Sequence, residues 1–187
     1  MLLYDISMTI EPDMAVYKNR DEKKPRFLYS RNFSESSVYE TRLELDLHCG
    51  THIDLPLHII PGGASSDTFS PDHFFLPALL LDFSGVENDR ITADDLREKE
   101  KKLAEKGLEI AGDSFLLLKT ANSFNDHFDF SFVFLEAGGA AWLAGRNLKG
   151  VGIDALGIER DQADHQSHRY LLEAEMIILE GLRLAEP

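Results

Sequence analysis

Three histidines and one aspartate crowd into the run HCGTHIDLPLH, His48 to His58, of a chain that holds seven histidines in all. Imidazole nitrogen and carboxylate oxygen suit Zn2+, and also Mn2+ or Fe2+. Such ions turn water into a nucleophile at neutral pH and polarise carbonyls, so metal-assisted hydrolysis is the chemistry the run suggests. His48, His52, Asp54 and His58 all fall at even positions. In a straight strand they would share a face, but His48 and His52 would stand about 13 Å apart at about 3.3 Å per residue. Ligands must converge to about 2.0–2.2 Å from their ion. The chain must therefore bend, and Gly50 is the residue best able to bend it.

A helix would also join His48 and His52 at i,i+4, as in HExxH sites. Gly50, Thr51 and Pro56 oppose a helix, and the glutamate after the first histidine is missing. Cys49, the one cysteine, points away from the ligands in an extended chain and reads as buried packing. A polar loop whose histidines merely hydrogen-bond is the bland alternative, and the density of imidazoles weighs against it. His127, Asp154, His165, His168 and Glu180 are available to complete a site. Glu180 interrupts the apolar run MIILEGL, where a carboxylate is costly to bury unless paired or coordinated. Spacing alone leaves open a solvent-facing Glu180 and a surface His168.

The elements that must position these groups follow from periodicity. Leu2–Ile10 reads as a strand stopped by the Glu11-Pro12-Asp13 turn. Residues 14–37 read as irregular, with one strand near Arg26–Arg31. Val38–His48 alternates, so Leu43, Leu45 and Leu47 are expected to bury one face. Pro61-Gly62-Gly63 opens a long loop past Asp72, and Ala78–Phe83 is the next strand. Thr92 with Asp95 makes a capping-box start for a helix over Ala93–Lys106, which Gly107 ends. Phe115–Lys119 reads as a central strand, and Glu136–Ala144 as a helix weakened by Gly138 and Gly139. Val151–Asp154 reads as a strand, His168–Glu175 as a helical turn or two, and Met176–Leu184 as a final strand. Strands alternate with helices after a strand-rich first third, which predicts a single mixed α/β domain over residues 1–187.

Bulk properties narrow the function. Nineteen basic residues against thirty-three acidic ones, a net charge of -14, disfavour nucleic acid and anionic membranes as partners. The apolar run Phe74–Leu81 is too short to span a bilayer. No signal-peptide pattern follows Met1, and a lone cysteine agrees with a reducing compartment, so a cytoplasmic location is expected. There is no G-x-S-x-G, Walker A or G-x-G-x-x-G pattern, which disfavours serine hydrolases and nucleotide-binding folds.

HCGTHIDLPLH resembles the HxGTHxDxPxH signature of the cyclase-like family that includes bacterial kynurenine formamidase. LYDIS at the start, PGG after the signature, AAWL at Ala140–Leu143, GVGIDALGIE at Gly150–Glu159 and HRYLLEAEMIILEGL extend the likeness over most of the chain. The resemblance implies an α/β fold of the swivelling β/β/α type, with peripheral helices and usually a homodimer. It implies two zinc ions per subunit, with Mn2+ or another divalent ion as an alternative. On that pattern His48, His52 and Asp54 hold the first ion, Asp54 and His168 the second, and Glu180 contacts both. His58 matches the acid/base residue. The implied activity is arylformamidase, hydrolysis of N-formyl-L-kynurenine in tryptophan breakdown. Other small amides, esters or lactones are the alternative substrates, and a non-catalytic metal-binding or regulatory module is the non-enzyme alternative.

Two segments depart from the family. PDMAVYKNR, with Tyr17 and Lys18, stands where formamidases have a Trp-Pro-Gly-Asp-like segment, leaving Tyr17 as the candidate to stack on a substrate ring. A stretch bearing four phenylalanines between Phe124 and Phe132 replaces the family's commoner proline-bearing turn.

Overall fold

The computed structural model describes residues 2–110 and 112–186. Two early segments, β1 (Arg26–Arg31) and β2 (Glu40–Glu44), form an antiparallel hairpin of their own. There follow β3 (His52–Asp54), β4 (Ala78–Asp82), β5 (Arg90–Ile91), α1 (Ala93–Ala104), β6 (Phe115–Lys119) and β7 (Phe134–Leu135). The chain ends with α2 (Ala137–Ala144), β8 (Gly150–Ile153), α3 (Gln166–Glu173) and β9 (Ile177–Glu180). The central sheet runs β3-β9-β8-β6-β4. Its pairs are parallel except β3 with β9, while β5 and β7 pair apart as a short parallel ribbon. This is the mixed-sheet α/β architecture with peripheral helices that the sequence predicts.

Parallel strands are covered on both faces, which is why FLLLK and IILE read as continuous apolar runs. Leu116, Leu118, Val151, Ile153 and Ile178 share one core with Leu96, Leu143, Leu171 and Leu172 of the three helices. Each fully buried aliphatic chain there contributes about 1.5–3 kcal/mol of burial. Phe115, Ile177, Leu179 and Ile53 take the opposite face, under Leu55, Phe69 and Leu76 from the loop joining β3 to β4.

Helix α1 starts on the capping box the sequence shows. Thr92 Oγ1 accepts from Asp95 N–H, and the Asp95 carboxylate accepts from Thr92 N–H at 2.8 Å. It ends before Gly107, whose φ is +70°. The two glycines of α2 lower its intrinsic propensity, yet one of them is required there. A Cβ on Gly139 would stand 2.9 Å from Leu135 Cδ1 and 3.0 Å from the Ile91 carbonyl, so α2 packs onto β5 and β7 only as glycine.

Two expectations are corrected. Residues 2–10 do not form a strand: Arg183 N–H donates to the Ile6 carbonyl and Met8 N–H donates to Thr51 Oγ1, but no ladder develops. The alternation in Val38–His48 does produce β2, but Leu43, Leu45 and Leu47 are exposed, because β2 pairs with β1 and no layer covers the hairpin. Among the described residues no helix is long and apolar enough to cross a membrane.

Candidate metal centre

The antiparallel register of β3 on β9 sets His52 opposite Glu180 and Asp54 opposite Ile178. Facing residues on paired strands project to one side of a sheet. His52, Asp54 and Glu180 therefore point to the helix side, where the buried His168 arrives from α3. Upstream, Gly50 makes the expected bend with φ +66°, and a Cβ there would stand 2.6 Å from Ile10 Cδ1. Gly181, just past β9, has φ +69° and packs against the Gly50 carbonyl so closely that no side chain fits. Thr51 Oγ1 donates to the Gly181 carbonyl at 2.6 Å, pinning the bend to the end of β9. Cys49 lies in a small core with Met8, Met14 and Val16, as the extended-chain reading predicts. Downstream, the short turn Pro56–His58 brings the His58 ring over His48, with centroids 4.2 Å apart. Gly63 lies against the Pro56 backbone and leaves that turn room to form.

All six predicted polar residues converge. Asp54 Oδ1 lies 2.9 Å from His48 Nδ1 and 3.7 Å from His52 Nε2, while Oδ2 lies 3.4 Å from His168 Nε2. Glu180 divides its oxygens in the same way, Oε2 3.5 Å from His52 Nε2 and Oε1 3.5 Å from His168 Nε2. His58 falls within ligand distance of His48 and Asp54. Close as they are, the Asp54 contacts lack hydrogen-bond geometry. Among the described residues, the buried side-chain polar atoms with no hydrogen-bond partner are His52 Nε2 and both oxygens of Asp54. Leaving each of them unsatisfied costs about 1–3 kcal/mol, more for a charged group. A cation at their common point satisfies all three, so the residues fit a metal.

The imidazoles are preset for that role. His52 Nδ1 sits 3.0 Å from the Gly50 carbonyl, a pure acceptor, so Nδ1 carries the proton and Nε2 offers its lone pair. His168 Nδ1 meets Glu159 Oε1 at 2.8 Å and likewise leaves Nε2 free to face Asp54 and Glu180.

The metal-free electrostatics report the same concentration of negative charge. Burial disfavours a charged His168, but its contacts with Asp54, Glu159 and Glu180 outweigh that and push its pKa up to about 12. Burial would raise Asp54, but His168 and His48 hold it well below the usual carboxylate range. Contact with Asp54 raises His48. His58 moves the other way: burial lowers its pKa, and the charges of His48 and His168 add to the effect against the pull of Asp54. Where His48 and His168 are pushed toward the charged form, His58 is pushed toward the neutral one.

These groups line one end of a cleft of about 260 Å³, whose other walls include Tyr17, Lys18, Leu156 and Gly157. Tyr17 is half-buried, its ring edge-on to Phe128 at 5.3 Å, so the phenylalanine-rich stretch backs the cleft wall. Three other candidates play different parts. His127 is exposed and lies outside the cluster. Asp154 is buried and satisfied by Thr120 and Ser123, holding the loop after β6. His165 is largely exposed and contacts Glu159 at 2.9 Å.

Glu159 is the residue that sequence reasoning missed. It is buried, accepts from His168 Nδ1 and from Ser167 N–H at 2.9 Å, and so fixes both the ring and the start of α3. A second acid, after Asp154, closing the mostly small and apolar segment GVGIDALGIE was the available signal.

With this geometry in view, likeness to known proteins becomes informative. The Cyclase family model matches residues 4–160. The chain belongs to this family. It is 30% identical to the kynurenine formamidase of Salinibacter ruber, over 98% of this chain and 84% of that protein. It is 31% identical to cyclase-like protein 3 of Arabidopsis thaliana, over 97% of this chain and 68% of that protein. The solved structure of a "predicted metal-dependent hydrolase from Bacillus stearothermophilus" superposes with a TM-score of 0.83 at 43% identity, covering 98% of this chain and 83% of that one. Isatin hydrolase A from Labrenzia aggregata, at 23% identity and a TM-score of 0.82 over 98% of this chain and 81% of that one, shares the fold. The cyclase-family chain is thus a metal-dependent hydrolase of this fold, with a metal-binding site consistent with amidohydrolase chemistry.

Proposed function

We propose that the protein hydrolyses a small aryl amide, with N-formyl-L-kynurenine or a related aryl formamide as the best single substrate, and that it holds two zinc ions. The observation that carries this reading is the divided use of two carboxylates. Asp54 and Glu180 each turn one oxygen toward His52 and the other toward His168. So divided, the two carboxylates would serve both ions, with His48 and His52 holding one and His168 the other. Mn2+ fits the same nitrogen and oxygen donors.

Ions bound there supply Lewis acidity and lower the pKa of water. The chain's own groups do the rest. His58, kept neutral at the cleft, takes a proton on its free ring nitrogen and returns it to the leaving nitrogen. Its partial exposure lets that proton exchange with solvent. The Gly50 carbonyl and Glu159 hold the Nδ1 protons of His52 and His168, so neither ring can turn its lone pair away. Tyr17 and Gly157 form the wall against which a planar acyl group lies.

A second reading, hydrolysis of another small amide, ester or lactone, is favoured by Tyr17 and Lys18 standing where formamidases carry their tryptophan segment. A hydrolysis screen of the zinc-loaded protein with N-formylkynurenine, formanilide, simple esters and lactones separates the two. Turnover of N-formylkynurenine above the others supports the formamidase; selective turnover of an ester or lactone displaces it.

Assembly as a homodimer is part of the same proposal. It is supported by the uncovered hairpin, where Tyr29, Phe33 and Tyr39 form an exposed aromatic cluster.

A further inference from the structure

His48, Asp54, His58, His168 and Glu180 line part of the cleft, and the exposed Lys18 lines another part that the hydrolytic reading does not use. Lys18 and Asn19 have φ of +58° and +51°, two successive non-glycine residues in the left-handed region. Such backbone is strained and persists only where the surroundings impose it. The strained pair holds Lys18 Nζ 5.3 Å from the centre of the Tyr17 ring, with both residues lining the cleft. Tyr17 is itself fixed, edge-on to Phe128 and against Gly157, where a Cβ would stand 3.3 Å from Tyr17 Cε2. Lys23, the other lysine of the cleft, is paired with Asp46 at 3.4 Å. Among the described residues Lys18 has no ion-pair partner.

A fixed aromatic ring beside an unpaired ammonium is a site for a planar, negatively charged molecule. The rest of the cleft argues that the cation is there for a ligand. Asp54, Glu159, Asp161 and Glu180 line it, in a chain of net charge -14, so an anion needs a positive contact in the cleft to approach. We propose that Lys18 anchors the carboxylate of an aromatic substrate whose ring lies against Tyr17, making Lys18 the specificity-determining residue for anionic aryl amides. This deepens the hydrolytic reading by naming a substrate class, and its anchoring part is testable without turnover.

The test measures binding of 2-aminobenzoate and its uncharged analogue 2-aminobenzamide to the zinc-loaded protein by ligand fluorescence. Wild type is expected to prefer the acid. Lys18→Met should weaken acid binding about 5-fold, as befits a partly exposed charge pair, and leave the amide unchanged. Lys18→Arg should restore the preference, and Lys101→Met, on the exposed face of α1, should not affect it. Raising ionic strength should erode the preference wherever a cation stands at position 18, in wild type, Lys18→Arg and Lys101→Met alike. A preference that survives Lys18→Met places the carboxylate on the ions and overturns the anchor; equal binding of acid and amide by wild type overturns it too. Hydrolysis of 2-formamidobenzoate and formanilide is scored separately. Failure to cleave both overturns the aryl-formamide reading, while the fluorescence result still decides Lys18.

Discussion

The β1–β2 hairpin and the β3–β9 pair are both short antiparallel ribbons, and they differ in what lies over them. Along β2 every residue is exposed, and the leucines at 43, 45 and 47 meet no second layer. On β3 and β9, Asp54 and Glu180 are almost fully buried, although their side chains are the more polar. Alternation of apolar and polar residues specifies a pleated ribbon, but the tertiary partner decides which face is wet. At the ion-facing pair the buried polar groups are tolerated because each is matched to a neighbour or left aimed at a common point. At the hairpin the apolar groups stay exposed because no element of the chain packs over them among the described residues.

The comparison breaks most sharply at the ligands. His52→Ala should abolish metal binding and turnover together, whereas His58→Ala should retain the metal and lose turnover by about 100- to 10,000-fold. Metal content by elemental analysis, read beside kcat, separates the two. Equal metal loss in both variants would make His58 a ligand, which its proximity to His48 and Asp54 allows.

Glu159→Gln comes next. Removing the charge that holds His168 Nδ1 should weaken metal affinity about 10- to 100-fold in a chelator competition, with the fold intact by circular dichroism. Unchanged affinity would reduce Glu159 to a cap for α3.

A smaller effect follows from pH. In the metal-free protein His168 has a pKa raised from the ordinary 6.5 to about 12. Its contribution to stability is complete below about 6.5 and declines as pH rises toward 12. Metal binding requires the neutral ring, so it releases a proton and strengthens with pH. The gap in Tm between metal-loaded and metal-free protein should therefore widen from pH 6 to pH 8, and a gap that narrows contradicts this account of His168. Asp54 acts in the other window: its depressed pKa stabilises the fold above about 3.8, and that stability is lost on acidification.

The hairpin gives the least effect on stability. Tyr29→Ser with Phe33→Ser should shift the protein toward monomer in light scattering while changing monomer stability by no more than about 0.5 kcal/mol per site. A large loss of stability without a change of mass would mean that the cluster serves the fold of its own subunit.

What the sequence made legible was chemistry that is local or costly. The Thr92–Asp95 cap closes within four residues and was readable as such. Glu180 stood out because an acid amid Ile177, Ile178 and Leu179 needs a partner, and it has three: His52, His168 and the Ile158 N–H. The bend at Gly50 followed from the geometry that ligands demand. What stayed hidden depended on distant packing. The exposure of Leu47 depends on a layer that is not there, and the role of Glu159 on where α3 sets His168. Gly139 reads as a weak helix residue until Leu135 and the Ile91 carbonyl are seen beneath it.

The contact of Gly50 with Gly181 ties together two segments far apart along the chain. The histidine run emerges early, but its bend is secured by a residue 130 positions later than Thr51, beside the last strand. A ribosome-bound chain short of β9 lacks Glu180, the Gly181 brace and the register that sets His52, so it has no cradle for an ion. Truncation ahead of β9 is therefore expected to remove Glu180, the brace and the register in one step, and to leave the histidine run unable to gather around a cation by itself.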